Sequence, residues 1–317
     1  MKLYKFSAII FAAAALSACD LDDILPEGGT LLDEQVKDAT AVIPSRSDAS
    51  FSGMYSRMGI PLSIKFSSNR PDNFGFIMIP YSNDLEAADI VTVDSGYNWF
   101  STCSELSSRN ADYANPYVRY AAPYNTIADA NSVISSFPSD TEDPEILAKL
   151  AQAKAIRAYA YLTLAPYFQF AYNIAKDEPC VPIVSEETTD FTNNPRATVA
   201  EVYDFIIEDL TYAIENLEGY VRPDKGKVDQ QVAYGLRARA YQNIEKWAEA
   251  AADAEKAAEG YTPASIEEVS VPSFYDINDH NWIWGFDMVT DWVTSTFPFA
   301  TSSSWIRSFS AFSYSAL

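Results

Sequence analysis

The sequence predicts a mainly α-helical protein in which helix pairs stack side by side, with an irregular, loop-rich part and a few short strands. Three observations carry this. Apolar residues recur at three- and four-residue steps between about residues 115 and 260, the period of one helix face. Capping residues and proline or glycine punctuation bracket those stretches. A repeat also shows at an offset of 80 residues, where Ile156-Arg157-Ala158-Tyr159-Ala160-Tyr161 aligns with Leu236-Arg237-Ala238-Arg239-Ala240-Tyr241. Upstream, Asp129 falls on Asp209 and Ile134 on Ile214 at the same offset. Helix pairs with small residues at their crossing points stack in tetratricopeptide fashion, and the long offset requires expanded inter-helix loops.

In chain order, Asn115-Pro116 reads as an N-cap followed by a proline in the first turn, with Tyr117, Tyr120, Tyr124, Ile127 and Ile134 on one stripe. Pro123 should kink or split this helix. Asp143-Pro144 opens a second helix with an alanine- and leucine-rich stripe, and Pro166 marks its last turn. Thr198-Val199-Ala200-Glu201 is a capping-box sequence that opens a helix over 198–218, with Gly219 as the stop. Further helices run from about Val228 to Ile244 and from Trp247 to Glu259, the latter ending at Gly260. Val269, Val271, Trp282, Ile283, Trp284, Gly285 and Phe286 read as short buried strands. Residues 301–317 show no closing element and read as interrupted rather than finished.

Composition narrows the function. The 317 residues carry 22 basic and 44 acidic side chains, a formal net charge of −22 that repels phosphate backbones, so no nucleic-acid partner is expected. A single histidine, His280, excludes histidine-pair metal sites and leaves any histidine-based triad hanging on one residue. Signatures for nucleotide, dinucleotide and serine-hydrolase chemistry are lacking, and no cofactor is implied. Glu186, Glu187, Asp190 and the cluster Asp276, Asn278 and Asp279 are carboxylate-rich, but none has a context that sets it above a solvated acid. Aromatic residues make up 14%, a surplus that serves packing, a stacking surface or both.

The N-terminus reads as an address. Lys2 and Lys5 precede an apolar run, Phe6–Leu16, too short for a membrane span, and Leu16-Ser17-Ala18-Cys19 has the form of a bacterial lipobox. Residues 1–18 are then a signal peptide, 19–45 a tether lipidated at Cys19, and 46–317 the helical domain; an ordinary secretory signal ending near a cysteine is the alternative. Asp20, Asp22 and Asp23 resemble a surface-export signal and equally suit a solvated linker. Cys103 and Cys180 either pair or stand as buried free thiols.

Several of these stretches occur together in one family. The chain resembles the SusD/RagB outer-membrane nutrient-binding lipoproteins in the lipobox cysteine, in Tyr124–Asn131 (YNTIADAN), in Ala153–Tyr161 and in Pro195–Tyr203, and in Ala238–Tyr241 followed by Trp247–Ala250. The resemblance implies a tetratricopeptide-like scaffold, a non-enzymatic glycan- or peptide-binding role, and a SusC-like TonB-dependent transporter as partner at the outer membrane. It also implies a longer chain than this one. A sugar is held by aromatic rings against its C–H faces and by polar side chains at its rim. The loop region 69–112 holds that mixture: Trp99 and Tyr97 are the stacking candidates, Asn98, Arg70 and Asp72 the rim candidates. A core plug is the competing role for Trp99, and buried packing is the expected role of Trp282 and Trp284. Arg157, Arg237 and Arg239 are expected to form ion pairs with acids such as Asp129 or Asp209 on the neighbouring helix, ligand recognition being the alternative.

Overall fold

A computed structural model describes residues 45–58, 76, 78–87, 110, 113–138, 140–270 and 277–285. Within them lie helices α1 (Ser45–Arg57), α2 (Met78–Glu86), α3 (Ala114–Ser135), α4 (Pro144–Phe168) and the single turn α5 (Tyr172–Ala175). Two short antiparallel strands follow, β1 (Pro179–Pro182) and β2 (Arg196–Thr198), pairing Pro179 with Thr198 and Pro182 with Arg196. The chain continues through α6 (Val199–Asn216), α7 (Gln230–Asn243), α8 (Trp247–Ala258) and α9 (Ile266–Ser270). None of the described helices is long and apolar enough to cross a membrane.

The predicted stack is present. Each of α3, α4, α6, α7 and α8 packs on the next, and α1 lies against α3. Alanine makes α4 the central layer: Ala151, Ala153, Ala155, Ala158 and Ala160 are fully buried, so neighbours approach on several sides. Asp143 caps α4 by accepting from the Glu145 and Ile146 amides, ahead of Pro144. Thr198 and Glu201 form the predicted reciprocal capping box on α6. Gly219 and Gly260 take φ of 73° and 85° beyond the ends of α6 and α8, a backbone shape without penalty only for glycine.

Three expectations are corrected. Helix α3 begins at Ala114 with Tyr113 as an N-cap whose side chain makes no cap bond. Asn115 lies inside the first turn because a tertiary partner claims its amide, which donates to Ser82 Oγ at 3.0 Å. Of the two effects expected of Pro123, the split is absent: α3 is helical through 22 residues. The C-terminal strands are not seen among the described residues: Val269 lies in α9, and 277–285 run through turns and irregular backbone. Trp282 and Trp284 are nevertheless buried, at 5% and 1% exposure, as packing predicted. Trp284 donates to the Gly226 carbonyl at 3.1 Å and stands edge-on to Tyr159.

Charged rungs tie successive helices. Arg157 on α4 is 1% exposed and grips Asp209 on α6, 2% exposed, in a fork with Nε–Oδ2 2.7 Å and Nη2–Oδ1 2.9 Å. Its Nη1 also donates to Asn131 on α3 at 2.6 Å and to Glu186. Arg237 on α7 repeats the device, gripping Asp253 on α8 at 2.7 and 3.0 Å and donating to Thr211 on α6 at 2.9 Å. Thr211 stands where Asn131 stands, 80 residues on, so each arginine bolts its helix to the one before and the one after. A third rung joins Arg57 of α1 to Asp129 of α3 at 2.6 Å, with Arg57 about half exposed.

Removing one partner of a buried pair leaves an unsatisfied charge in a water-excluded site. Arg157→Met is therefore expected to lower unfolding free energy by about 3–5 kcal/mol in urea denaturation. The double variant Arg157→Met/Asp209→Leu should recover much of that loss; a double variant as unstable as the single would contradict this account.

Candidate functional site

Among the concavities lined by described residues, two lie against the helical stack. The larger, about 640 Å³, opens between α1, the start of α4 and the end of α6, lined by Phe51, Leu147, Lys149, Gln152, Asn216 and Tyr220 among others. Lys149 is already committed there, at 2.7 Å from Asp48 and 3.0 Å from Glu145. The smaller, about 180 Å³, lies where α2, the last turns of α4 and α7 meet. Its floor is apolar, from Ile79, Pro80, Leu162 and Pro166, and its polar groups are Asn83, Thr163, Tyr159, Tyr167 and Arg239.

Each polar group is placed by the helix that carries it. The Asn115–Ser82 bond pins α2 to α3, and buried Met78, Ile79 and Leu85 hold its inner face. Asn83 thereby meets Tyr167, whose hydroxyl donates to Asn83 Oδ1. Burial pushes the Tyr167 phenol up to about 12, so it remains a neutral donor at physiological pH. The Arg119 guanidinium lies 4.6 Å from the centre of the Tyr167 ring and pairs with Glu86 at 2.7 Å. Arg239 departs from expectation. Among the described residues it makes no ion pair, because two residues beyond Arg237 on a helix is a turn of about 200°, toward the cleft and away from Asp253.

An aromatic ridge runs along α3. Tyr113, Tyr117 and Tyr120 are exposed at helical spacing. Tyr120 then packs on Tyr124 with ring centres 4.7 Å apart and edge-on to Phe168 at 5.2 Å. The row passes inward through Tyr161 to Phe205, over which Arg157 sits at 4.8 Å. Tyr124 donates to the Pro182 carbonyl at 2.7 Å, and the Val184 amide donates to the Tyr161 hydroxyl at 2.7 Å, so the ridge also anchors the chain after β1.

The sequence-derived candidates Trp99, Tyr97, Asn98, Arg70 and Asp72, like the lipidation candidate Cys19, lie outside the described residues, as do Cys103 and residues 301–317. Residues 70–72 and 97–99 belong to the segments on either side of α2, and α2 walls the smaller cleft. Cys180 is a buried free thiol directed at the Ala165 carbonyl, and burial raises it to about 11. The sequence singles out Arg239 but favours an ion pair for it, and the cleft is not legible there; the distinguishing signal is the second arginine in Arg237-Ala238-Arg239, which has no counterpart at Tyr159 in the repeat.

Two of the candidate carboxylates are already engaged, and Asp276 lies outside the described residues. Glu186 is partly buried, yet the Arg157 and Lys154 charges hold it below the usual carboxylate range, the reverse of what a general acid needs. Asp190 is lowered by the Thr192 hydroxyl and amide it accepts from. Among the described residues no group of three or more His, Cys, Asp or Glu side chains could hold a metal ion.

A family model described as starch-binding and associating with the outer membrane, of the SusD-like kind, matches residues 78–242, more than half of the chain. The chain belongs to the SusD-like family. The match begins with α2 and runs almost to the end of α7. A SusD-like protein from Bacteroides ovatus is 29% identical over 127 residues, which are 39% of this chain and 22% of that one. A SusD-like carbohydrate-binding protein from Bacteroides vulgatus superposes with a TM-score of 0.68 at 26% identity, covering 78% of this chain and 51% of that one. A laminarin-binding SusD-like protein shares the fold at TM-score 0.55 and 19% identity, covering 75% and 49%. The chain thus spans about half the length of these solved relatives.

His280 offers a spectroscopic check on the C-terminal packing. Its Nε2 lies 3.2 Å from Glu268 and its Nδ1 2.9 Å from the Thr262 carbonyl, so both nitrogens face acceptors and neither is left to activate a hydroxyl. The Glu268 hydrogen bond, then the Thr262 carbonyl, raise its pKa above the usual 6.5. The stabilisation is fully present below the unfolded imidazole value and is lost as pH rises through the folded one. As the only histidine, it gives one assignable imidazole signal. NMR titration should place its midpoint above 6.5, and Glu268→Gln should move it back down.

Proposed function

We propose that this protein is a non-catalytic, lipid-anchored glycan-binding protein of the outer membrane that captures oligosaccharide and hands it to a SusC-like TonB-dependent transporter. The observation that carries this reading is the family match over residues 78–242, on a fold shared with a carbohydrate-binding relative. The chemistry agrees with it. Aromatic faces and hydrogen-bonding groups suit a sugar, and Glu186 and Asp190, both held below the usual carboxylate range, are not poised as a general acid. Trp99 and Tyr97 supply the stacking faces of the site, with Asn98, Arg70 and Asp72 at its rim. Cys19 carries the lipid after residues 1–18 are removed, and residues 19–45 act as the tether. In sequence those five residues precede and follow α2, whose inner face is fixed to the helical stack.

Affinity electrophoresis against soluble polysaccharides tests the binding role. Retardation by at least one glycan is expected, weakened about tenfold or more by Trp99→Ala with unchanged far-UV circular dichroism. Unchanged retardation of the variant removes Trp99 from the site, and no retardation by any glycan would favour a helical-repeat scaffold for protein partners. Labelling cells with radioactive palmitate should mark the wild-type protein and leave Cys19→Ala unmarked.

A further inference from the structure

The 180 Å³ cleft has a composition at odds with the molecule around it. The whole chain carries −22, yet none of the described side chains lining this cleft is acidic. Arg239 is half-buried at its wall and, among the described residues, has no ion pair and no hydrogen bond. Elsewhere in the fold a guanidinium at comparable or deeper burial is matched: Arg157 by Asp209, Arg237 by Asp253, Arg222 by Asp229 at 2.7 Å, Arg119 by Glu86. A half-buried cation left without an anion costs free energy unless a ligand supplies the anion.

The rest of the lining points the same way. Thr163 lines the cleft, and its hydroxyl has no hydrogen-bond partner among the described residues. Asn83 accepts from Tyr167 through its oxygen, which leaves its amide NH₂ as a donor. The nearby acid Glu86 is taken up by Arg119. The cleft is thus a cluster of donors above an apolar floor of Ile79, Pro80 and Leu162, with a volume suited to about one sugar ring or less.

We infer that this cleft binds the carboxylate of a uronic acid residue, with Arg239 as its bidentate partner, and that the glycans taken by this protein include acidic ones. The inference rests on the glycan-binding reading above and names a ligand class within it. A planar guanidinium fork matches a carboxylate through two parallel hydrogen bonds, and the apolar floor receives the ring's C–H face. The overall negative charge does not oppose this strongly. Exposed charges more than about 8–10 Å away are largely screened at physiological salt, so the adjacent donors govern. Densely charged polyanions would meet that field at many points, so the favoured ligand carries uronate units spaced among neutral sugars.

Isothermal titration calorimetry of the full chain with D-glucuronate, D-glucose and acetate, at low and at physiological salt, tests this directly. Glucuronate is expected to bind at least about tenfold more tightly than glucose, less tightly as salt rises. Arg239→Met should erase that preference, and Arg239→Lys should restore only part of it, since a lysine keeps the charge without the fork. Arg239→Met strands no carboxylate, so its melting temperature should match the wild type. Thr163→Val provides an independent variant, with a loss of about three- to tenfold for glucuronate.

Equal affinities for glucuronate and glucose, or undiminished glucuronate binding by Arg239→Met, would overturn the inference. So would acetate binding as tightly as glucuronate, because the sugar would then contribute nothing. Arg239→Met should still be retarded by neutral polysaccharide. If the wild type is retarded by neutral glycans and shows no uronate preference, the inference falls and the glycan-binding role stands; if no glycan retards it, both fall.

Discussion

The scaffold depends on one buried contact, the fork between Arg157 and Asp209. A guanidinium at 1% exposure is tolerable only when nearly all its hydrogen-bonding capacity is met. Here it is met from three sides, by Asp209 on α6, Asn131 on α3 and Glu186 on the segment after β1. Those partners fix where α3 and α6 stand relative to α4 and where the chain leaves the small sheet. Alanines around the fork let the helices come close enough for the bonds to form. Hydrophobic packing would hold these helices together in several registers; the geometry of the fork selects one.

Helix α7 divides its labour by angle. Arg237 faces α8 and completes the stack, while Arg239, two residues on, faces the cleft. A binding group is thus carried on the same rigid element that the scaffold locks in place, which limits the entropy lost when a ligand is bound. Helix α2 does the same for the opposite wall. It is short, yet the Asn115–Ser82 bond and its buried methionine, isoleucine and leucine fix it against the stack.

Much of the helical order was legible because it is written in local chemistry. The capping box at Thr198 and Glu201, the Asp143-Pro144 start and the glycines after α6 and α8 act within a few residues of where they stand. The start of α3 was misread because Asn115 has a partner 33 residues away, and distance in sequence hides such a claim. The offset of 80 correctly paired Arg157 with Arg237, but the partners were only half visible. Thr211 does the work of Asn131 with different chemistry, and Asp129 answers to Arg57 from outside the repeat. The expected ion pair of Arg239 failed for a geometric reason, since a helix sends neighbouring arginines to different sides. The five residues proposed for the sugar site rest on residue type and on their place within 69–112, which says what can touch a sugar but not where the chain puts it.

The three arginine rungs differ in exposure, and that ordering has a mechanical consequence. Arg57 is half in water, whereas Arg157 is sealed and Arg237 nearly so. A force drawn through the chain ahead of Ser45 reaches the body by way of α1. It meets the Asp48–Lys149 pair near the start of α1 before the Arg57–Asp129 contact at its last residue, and in each pair one partner stands about half in water. The sealed Arg157 fork lies behind both, so the detachment of α1 would spare the inner stack.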